Sequence, residues 1–424
     1  MRSRRRPLLK VASAIGLGGA GVAYWQRRPI RRWDDIDAIE TALAIPVPTI
    51  PNPVTVTADH LEASYSRARE HVETTEQVLP DPDAQESGHL ENANKSLADH
   101  PPDSIDDDDE RHEALDNYLL AISASAAARG RYIETDNGQP SDELQTAHET
   151  LGNKLDAFEA MYAGESLAHT IVQASHAESL AGTAASRYSR ATDFMIDSQY
   201  NNSVVWETVE TGRHSLHDAE WFLEVLETDD TVDWATDIED LYERLADRIK
   251  TATDEVEWEY ESDVPSYSHD RWLDIQLDHL SEPERSRDAG HLAQALLIQA
   301  ELATVASTLS AFEDVPGRDE LDDIEVELIE DANELVDEKR TAREQLETTA
   351  DAVESDPLGK HLLCQVTRRI DQAELTLERL RDDVKSYDSA EWQFELDYVA
   401  LRYRGGAADA GSIPDIVELV ADKE

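Results

Sequence analysis

The chain has 424 residues and a formal net charge of −54, a balance that excludes nucleic acid and anionic lipid as partners of its bulk, since both would be repelled. Aromatic residues are only 6%, but hydrophobic residues still reach 40%, enough to bury a core across two or three domains' length, so the charge does not imply disorder. A single cysteine, Cys364, excludes an internal disulfide framework and any cysteine-based zinc cage; on an apolar helix face it reads as an inert thiol.

Residues 1–32 hold nine of the 38 Lys/Arg and none of the 92 Asp/Glu. A basic start followed by the uncharged stretch Val11–Trp25 is the pattern of an export signal or membrane anchor. Arg5-Arg6-Pro7-Leu8-Leu9-Lys10 resembles the twin-arginine export motif. Arg5 and Arg6 fall on its arginine pair, Leu8 and Leu9 on its apolar pair and Lys10 on its lysine; Arg4 stands where Ser or Thr is usual. The resemblance implies export across the cytoplasmic membrane, with the body at the cell surface or membrane-anchored. Val11–Trp25 is shorter than the ~20 residues of a spanning helix, and Gly21-Val22-Ala23 offers cleavage after Ala23, so anchoring and secretion both stay open. Gly16-Leu17-Gly18-Gly19-Ala20-Gly21 matches a dinucleotide fingerprint literally, but arginines flank it where a strand and a helix are required, so no cofactor is expected from it.

The body carries few lysines for its acidity: the whole chain has 30 Arg against 8 Lys. That usage resembles the proteins of salt-accumulating haloarchaea. A dense carboxylate surface repels itself in dilute buffer, and molar salt, with a Debye length of about 3 Å, screens it.

In chain order, Trp33, Ile36, Ile39 and Leu43 predict a short amphipathic helix whose apolar edge rests on a membrane surface or docks on the body. Ile45 to Pro53 holds four prolines, which forbid helix and favour an extended spacer. Thr57 is a candidate N-cap, and from there nearly every segment reads as helix. Helices are expected to end at Pro80-Asp81-Pro82-Asp83, to run over 111–133, 141–162 and 165–197, and to continue over 204–227 and 232–260, with Gly164 as a break and 100–110 as an acidic loop. Between His291 and Ala311 the one charge is Glu301, and a helix apolar all round must be buried by others. A long stripe from Leu321 to Val353 follows, then Asp356-Pro357 as a helix start and the stripe Leu362, Val366, Ile370, Ala373, Leu377, Leu380. A last helix carries Trp392, Leu396, Val399 and Tyr403, and Gly405-Gly406 is expected to end it.

This predicts an all-α protein: antiparallel bundles of long amphipathic helices joined by short turns, with a highly acidic surface. The expected organisation is a signal or anchor over 1–32, a short helix and Pro-rich spacer over 33–56, a helical subdomain over 57–262, a C-terminal bundle over 263–405 and a tail over 406–424.

No P-loop, G-x-S-x-G or His-Glu-x-x-His occurs. Glu210, His214 and His217, spaced four and three, share a helix face and are the best candidate metal ligands, against a solvated salt-bridged face as the alternative. Glu165, His169 and His176 form a weaker case. Glu86 and His89 have the Glu-x-x-His form of ferritin-like sites but fall in an expected loop. Trp206, Trp221, Trp234, Trp258 and Trp272 either pack a core or bind a sugar or cation. Asn94-Lys95-Ser96 and Asn201-Asn202-Ser203 are glycosylation sequons, in expected loops. The function expected is an exported, anchored binding or scaffold protein of a halophile, touching the membrane through its N-terminus and using no cofactor. The alternative is an extracytoplasmic metal-dependent hydrolase built on Glu210, His214 and His217.

Overall fold

The computed structural model describes residues 35–79, 82–105, 107–132, 141–196, 202–228, 231–255, 282–308, 329, 332–383 and 389–424. The export motif Arg5–Lys10, the sequon residue Asn201, Trp258, Trp272 and the first part of the Leu321–Val353 stripe lie outside them.

The described chain is all-α apart from one two-residue pairing. A short helix α1 covers 35–43. There follow α2 (Ala58–Val78), α3 (Ala84–Asp99), a single 3-10 turn (Pro102–Ser104), α4 (Asp108–Tyr132) and α5 (Asp142–Ala157). Strand β1 (Ala163–Gly164) precedes α6 (Leu167–Ile196) and α7 (Asn202–Glu224), and β2 (Val232–Asp233) precedes α8 (Ala235–Glu255). The rest is α9 (Glu282–Asp288), α10 (Leu292–Ala306), α11 (Ala332–Ala352), α12 (Pro357–Asp382) and α13 (Ser389–Ala421).

Local chemistry sets many of these ends. Thr57 caps α2, its hydroxyl accepting from the His60 N–H at 3.1 Å. Asp356 caps α12, accepting from Gly359 N at 2.6 Å, with Pro357 in the first turn where its missing N–H costs nothing. Asp83 and Glu86 form a capping box, which starts α3 in the stretch expected to be loop. Asp83-x-x-Glu86 is the local signal for that start, and it outweighs the prolines before it. The helix expected over 141–162 stops earlier, at Ala157 with Phe158 as its C-cap, and Gly164 lies beyond it, paired with Val232 across the short ladder. Two helix ends are capped from a distance. Glu178 of α6 accepts from Gln294 N at 2.6 Å at the start of α10, and Glu424 accepts from Leu167 N at 2.6 Å at the start of α6.

Helices α2, α3, α4, α6 and α7 pack on one another, as do α11, α12 and α13, and α10 lies between them in contact with α6, α8, α12 and α13. The apolar core is continuous from Ile39 through Ile171 to Val420, crossing the expected 262/263 boundary. α10 makes that continuity: Leu296, Leu297, Ala300 and Leu302 are all buried, as the apolar-all-round pattern required.

The C-terminus differs from expectation. Gly405-Gly406 does not end a helix, and 406–424 is not a tail: α13 runs unbroken to Ala421 and buries Ile413, Ile416 and Val420. Gly406 is a packing glycine instead. A Cβ there would sit 2.7 Å from Ile370 Cδ1, so its absence lets α13 lie close on α12. Pro414 sits inside the same helix and leaves Ala410 O without its intrahelical donor; the Thr349 hydroxyl of α11 donates to that oxygen at 2.9 Å.

Residues 35–56 are part of the body. Ile39 and Ala42 of α1 are fully buried, and Trp392 Nε1 donates to Asp35 Oδ2 at 3.3 Å, so the apolar edge of α1 is spent on the body. The Pro-rich stretch is extended as expected, but it is laid along the helices as a strap. Val54 and Val56 enter the core. The buried Gln173 amide accepts from Thr55 N at 3.0 Å and donates to Thr55 O at 2.9 Å, while His112 meets Val54 O at 2.8 Å and Arg111 donates to Val56 O at 3.1 Å.

Candidate functional site

Glu210, His214 and His217 do share a face of α7, and Glu210 and His214 are buried. Glu210 is hydrogen-bonded, whereas His214 Nδ1 and Nε2 and His217 Nε2 are buried without a hydrogen-bond partner. Arg213 donates to Glu210 at 2.7 Å, and His71 of α2 lies 3.8 Å from its other oxygen. His214 Nε2 lies 3.3 Å from Asp218, and His217 sets its ring edge to Trp221. Among the described residues no three His, Cys, Asp or Glu side chains are arranged to hold a metal ion. Helical spacing places the three on one face, but their nearest partners Arg213, Asp218 and Trp221 are on the same helix and only His71 approaches from α2, so the three do not converge on one point.

That seam is a buried polar network. Asp218 Oδ1 accepts from Ser64 Oγ at 2.6 Å and lies 3.2 Å from His60 Nε2. Burial opposes ionisation of Asp218, yet His214 and the bonds from His60 and Ser64 hold its carboxyl down at about 2. Burial also pushes the His71 and His217 imidazoles down to about 4, so both are neutral at pH 7. The His60 ring stacks on Trp221 at 5.8 Å and meets Phe222 edge-on at 4.7 Å. Every side chain here faces another side chain of the body, and the arrangement joins α2 to α7.

The open chemistry lies elsewhere. A cleft of about 690 Å³ is bounded by the strap on one side and by α6, α10, α12 and the first turn of α4 on the others. Helical spacing supplies each wall: Val172, Ser175, His176 and Ser179 from α6; Gln294, Leu297, Ile298 and Glu301 from α10; His361, Cys364, Gln365 and Arg368 from α12. Glu301, the one charge of its apolar helix, meets His361 across the cleft wall, His361 Nε2 to Glu301 Oε1 at 3.1 Å. The Gln365 amide lies 3.3 Å from the same ring nitrogen. His176 is held neutral, its pKa pushed to about 4 by burial and by the neighbouring His112 and His361. The Cys364 thiol points at the strap, donating to Ile50 O at 3.5 Å, and burial raises it to about 11. A thiol so held is not a nucleophile at neutral pH.

Of the residues singled out in sequence, His176 and Cys364 reach this cleft; His169 is half-buried on α6 outside its lining and Glu165 is exposed. Glu301, His361 and Gln365 carry no motif that assigns them to a site. Glu301 is conspicuous as a lone charge, but its partner is 60 positions away on another helix, which no local spacing reveals. Trp206 and Trp234 serve the core: Trp206 is buried with the Arg129 guanidinium 4.9 Å from its ring, and Trp234 Nε1 donates to Gly164 O at 3.0 Å. Asn94 stands on helix α3, not in a loop, and its amide donates to Glu76 at 2.8 Å. Among the described residues no helix is long and apolar enough to cross a membrane.

A family model described as a domain of unknown function, DUF8264, matches residues 207–422, which takes in α10 and α12 of the cleft but neither α6 nor the strap. No curated protein and no solved structure matches the chain.

Proposed function

The chain belongs to the DUF8264 family, a domain of unknown function, and from that premise we propose that it is an exported, membrane-anchored binding protein of a salt-adapted organism, working without catalysis through the cleft beneath its strap. Its architecture is read as antiparallel helical bundles under a dense carboxylate surface, brought to the outer face of the membrane by the Arg5–Lys10 motif.

The observation that carries this reading is the cleft. Polar side chains from four helices and the strap converge on it, and the thiol there is tied to a main-chain carbonyl. Concave sites with apolar walls and a few convergent polar groups are where small ligands bind. The imidazole-rich seam between α2 and α7, the other concentration of reactive groups, is buried: Asp218 is bonded there by Ser64 and His60, while His71 Nε2, both His214 ring nitrogens and His217 Nε2 have no hydrogen-bond partner.

Protease treatment of intact cells tests the location. Digestion of the body in the wild type, and its protection once Arg5 and Arg6 are both replaced by Lys, is the expected result; a body shielded in both strains would refute export.

A further inference from the structure

Charge and shape in the cleft select among ligands. Its lining includes three carboxylates, Asp109, Glu301 and Asp371, against one guanidinium, Arg368; of these only Glu301 is half-buried and the others are exposed. Two of the three are partly spent: Asp109 accepts from Asn52 N at 3.1 Å, and Asp371 faces the charge of Lys339. Glu301 is different. One oxygen lies 3.1 Å from His361 Nε2, and among the described residues the other accepts no hydrogen bond. Beside it, Leu297 and Ile298 of the same helix and Pro48 of the strap give the cleft an apolar lining.

We propose that the cleft binds a small organic cation, a primary amine or guanidinium on an apolar chain, with its charged head on Glu301 and its chain along Leu297, Ile298 and Pro48. The proposal rests on the reading of the protein as a binding module. An inorganic cation fits poorly: calcium takes roughly six to eight oxygen ligands, and no cluster for a metal exists among the described residues. In concentrated salt a bare carboxylate would be screened or occupied by potassium, so affinity must come from charge and apolar contact together. An anion meets the wrong majority charge.

Cys364 makes this measurable, because it lines the cleft and is the chain's sole cysteine. The test is the rate of iodoacetamide alkylation of the full-length protein in molar KCl at about pH 9, where about a hundredth of a thiol titrating at about 11 is ionised and an alkyl amine is still charged, with cadaverine, n-pentanol or glutarate as the added probe. Saturable protection by cadaverine, with little from pentanol or glutarate, is expected. Glu301→Gln keeps an acceptor for His361 and removes the charge; it is expected to label at the wild-type rate without ligand and to weaken cadaverine protection by about tenfold or more. Asp351→Asn, an exposed carboxylate outside the cleft, is expected to leave protection unchanged. Equal protection by pentanol or glutarate, undiminished protection in Glu301→Gln, or no protection by cadaverine would overturn the proposal. Protection by glutarate alone would sink the cation while leaving a binding module standing, and the protease experiment on intact cells decides location independently of either.

Discussion

Asp218 shows what holds a charge inside this protein. Its carboxylate is buried but accepts from Ser64 and lies against His60 and His214, so an amide in its place keeps one acceptor and turns a donor where the second oxygen stood. Asp218→Asn is expected to cost about 1–3 kcal/mol, read by chemical denaturation in molar KCl. The buried imidazoles set the acid limit. His71, His176 and His217 titrate at about 4 when folded against an ordinary 6.5, so below 6.5 the unfolded chain binds more protons than the native one. Stability is therefore expected to be intact above pH 6.5, to fall as pH drops toward 4, and to lose no more from these groups below that. Thermal unfolding across the window checks it, and His176→Gln is expected to reduce the slope by one proton's share. A flat profile would contradict the assignment. Sequence makes the seam half visible: the spacing of Glu210, His214 and His217 puts them on one face, but that His60, Ser64 and His71 of α2 oppose them is a tertiary fact with no local signature.

At the scale of elements, what is legible in the sequence is what is local. Thr57 and Asp356 are readable as caps because capping needs one side chain and the next turn, and both make the expected bonds. Gly405-Gly406 misleads because glycine stops a helix and also permits close packing, and the choice depends on Ile370, which no neighbouring residue announces. Gly406→Ala is expected to destabilise by about 1–3 kcal/mol by overpacking, and Ile370→Val in the same chain to recover part of the loss. Pro414 poses the same lesson from the other side: a helix tolerates it because α11 supplies a donor. Thr349→Val is expected to cost about 1–2 kcal/mol through the orphaned Ala410 carbonyl, whereas Thr349→Ser keeps the hydroxyl and costs less. With Pro414→Ala the missing N–H returns, so the Thr349→Val penalty is expected to shrink; a strictly additive double mutant would show that the hydroxyl does not serve that carbonyl.

Across the whole molecule, the all-α class follows from periodicity, but the division into parts does not. α10 is recognisable as a buried helix, yet what it joins, α6 and α8 on one side and α12 and α13 on the other, appears only in three dimensions. The Pro-rich stretch likewise can be read as extended, not as a strap clamped by Gln173. With a net charge of −54, self-repulsion opposes the compact state, so the unfolding midpoint is expected to rise steeply with KCl and to be lowest in dilute buffer. The most direct measurement uses an exposed reporter: Ser87→Cys on α3, in a Cys364→Ser background, treated in intact cells with a membrane-impermeant maleimide. Labelling of the intact cells to the level seen after lysis, abolished when Arg5 and Arg6 are replaced by Lys, is the predicted result. Labelling that appears only after lysis would contradict the account.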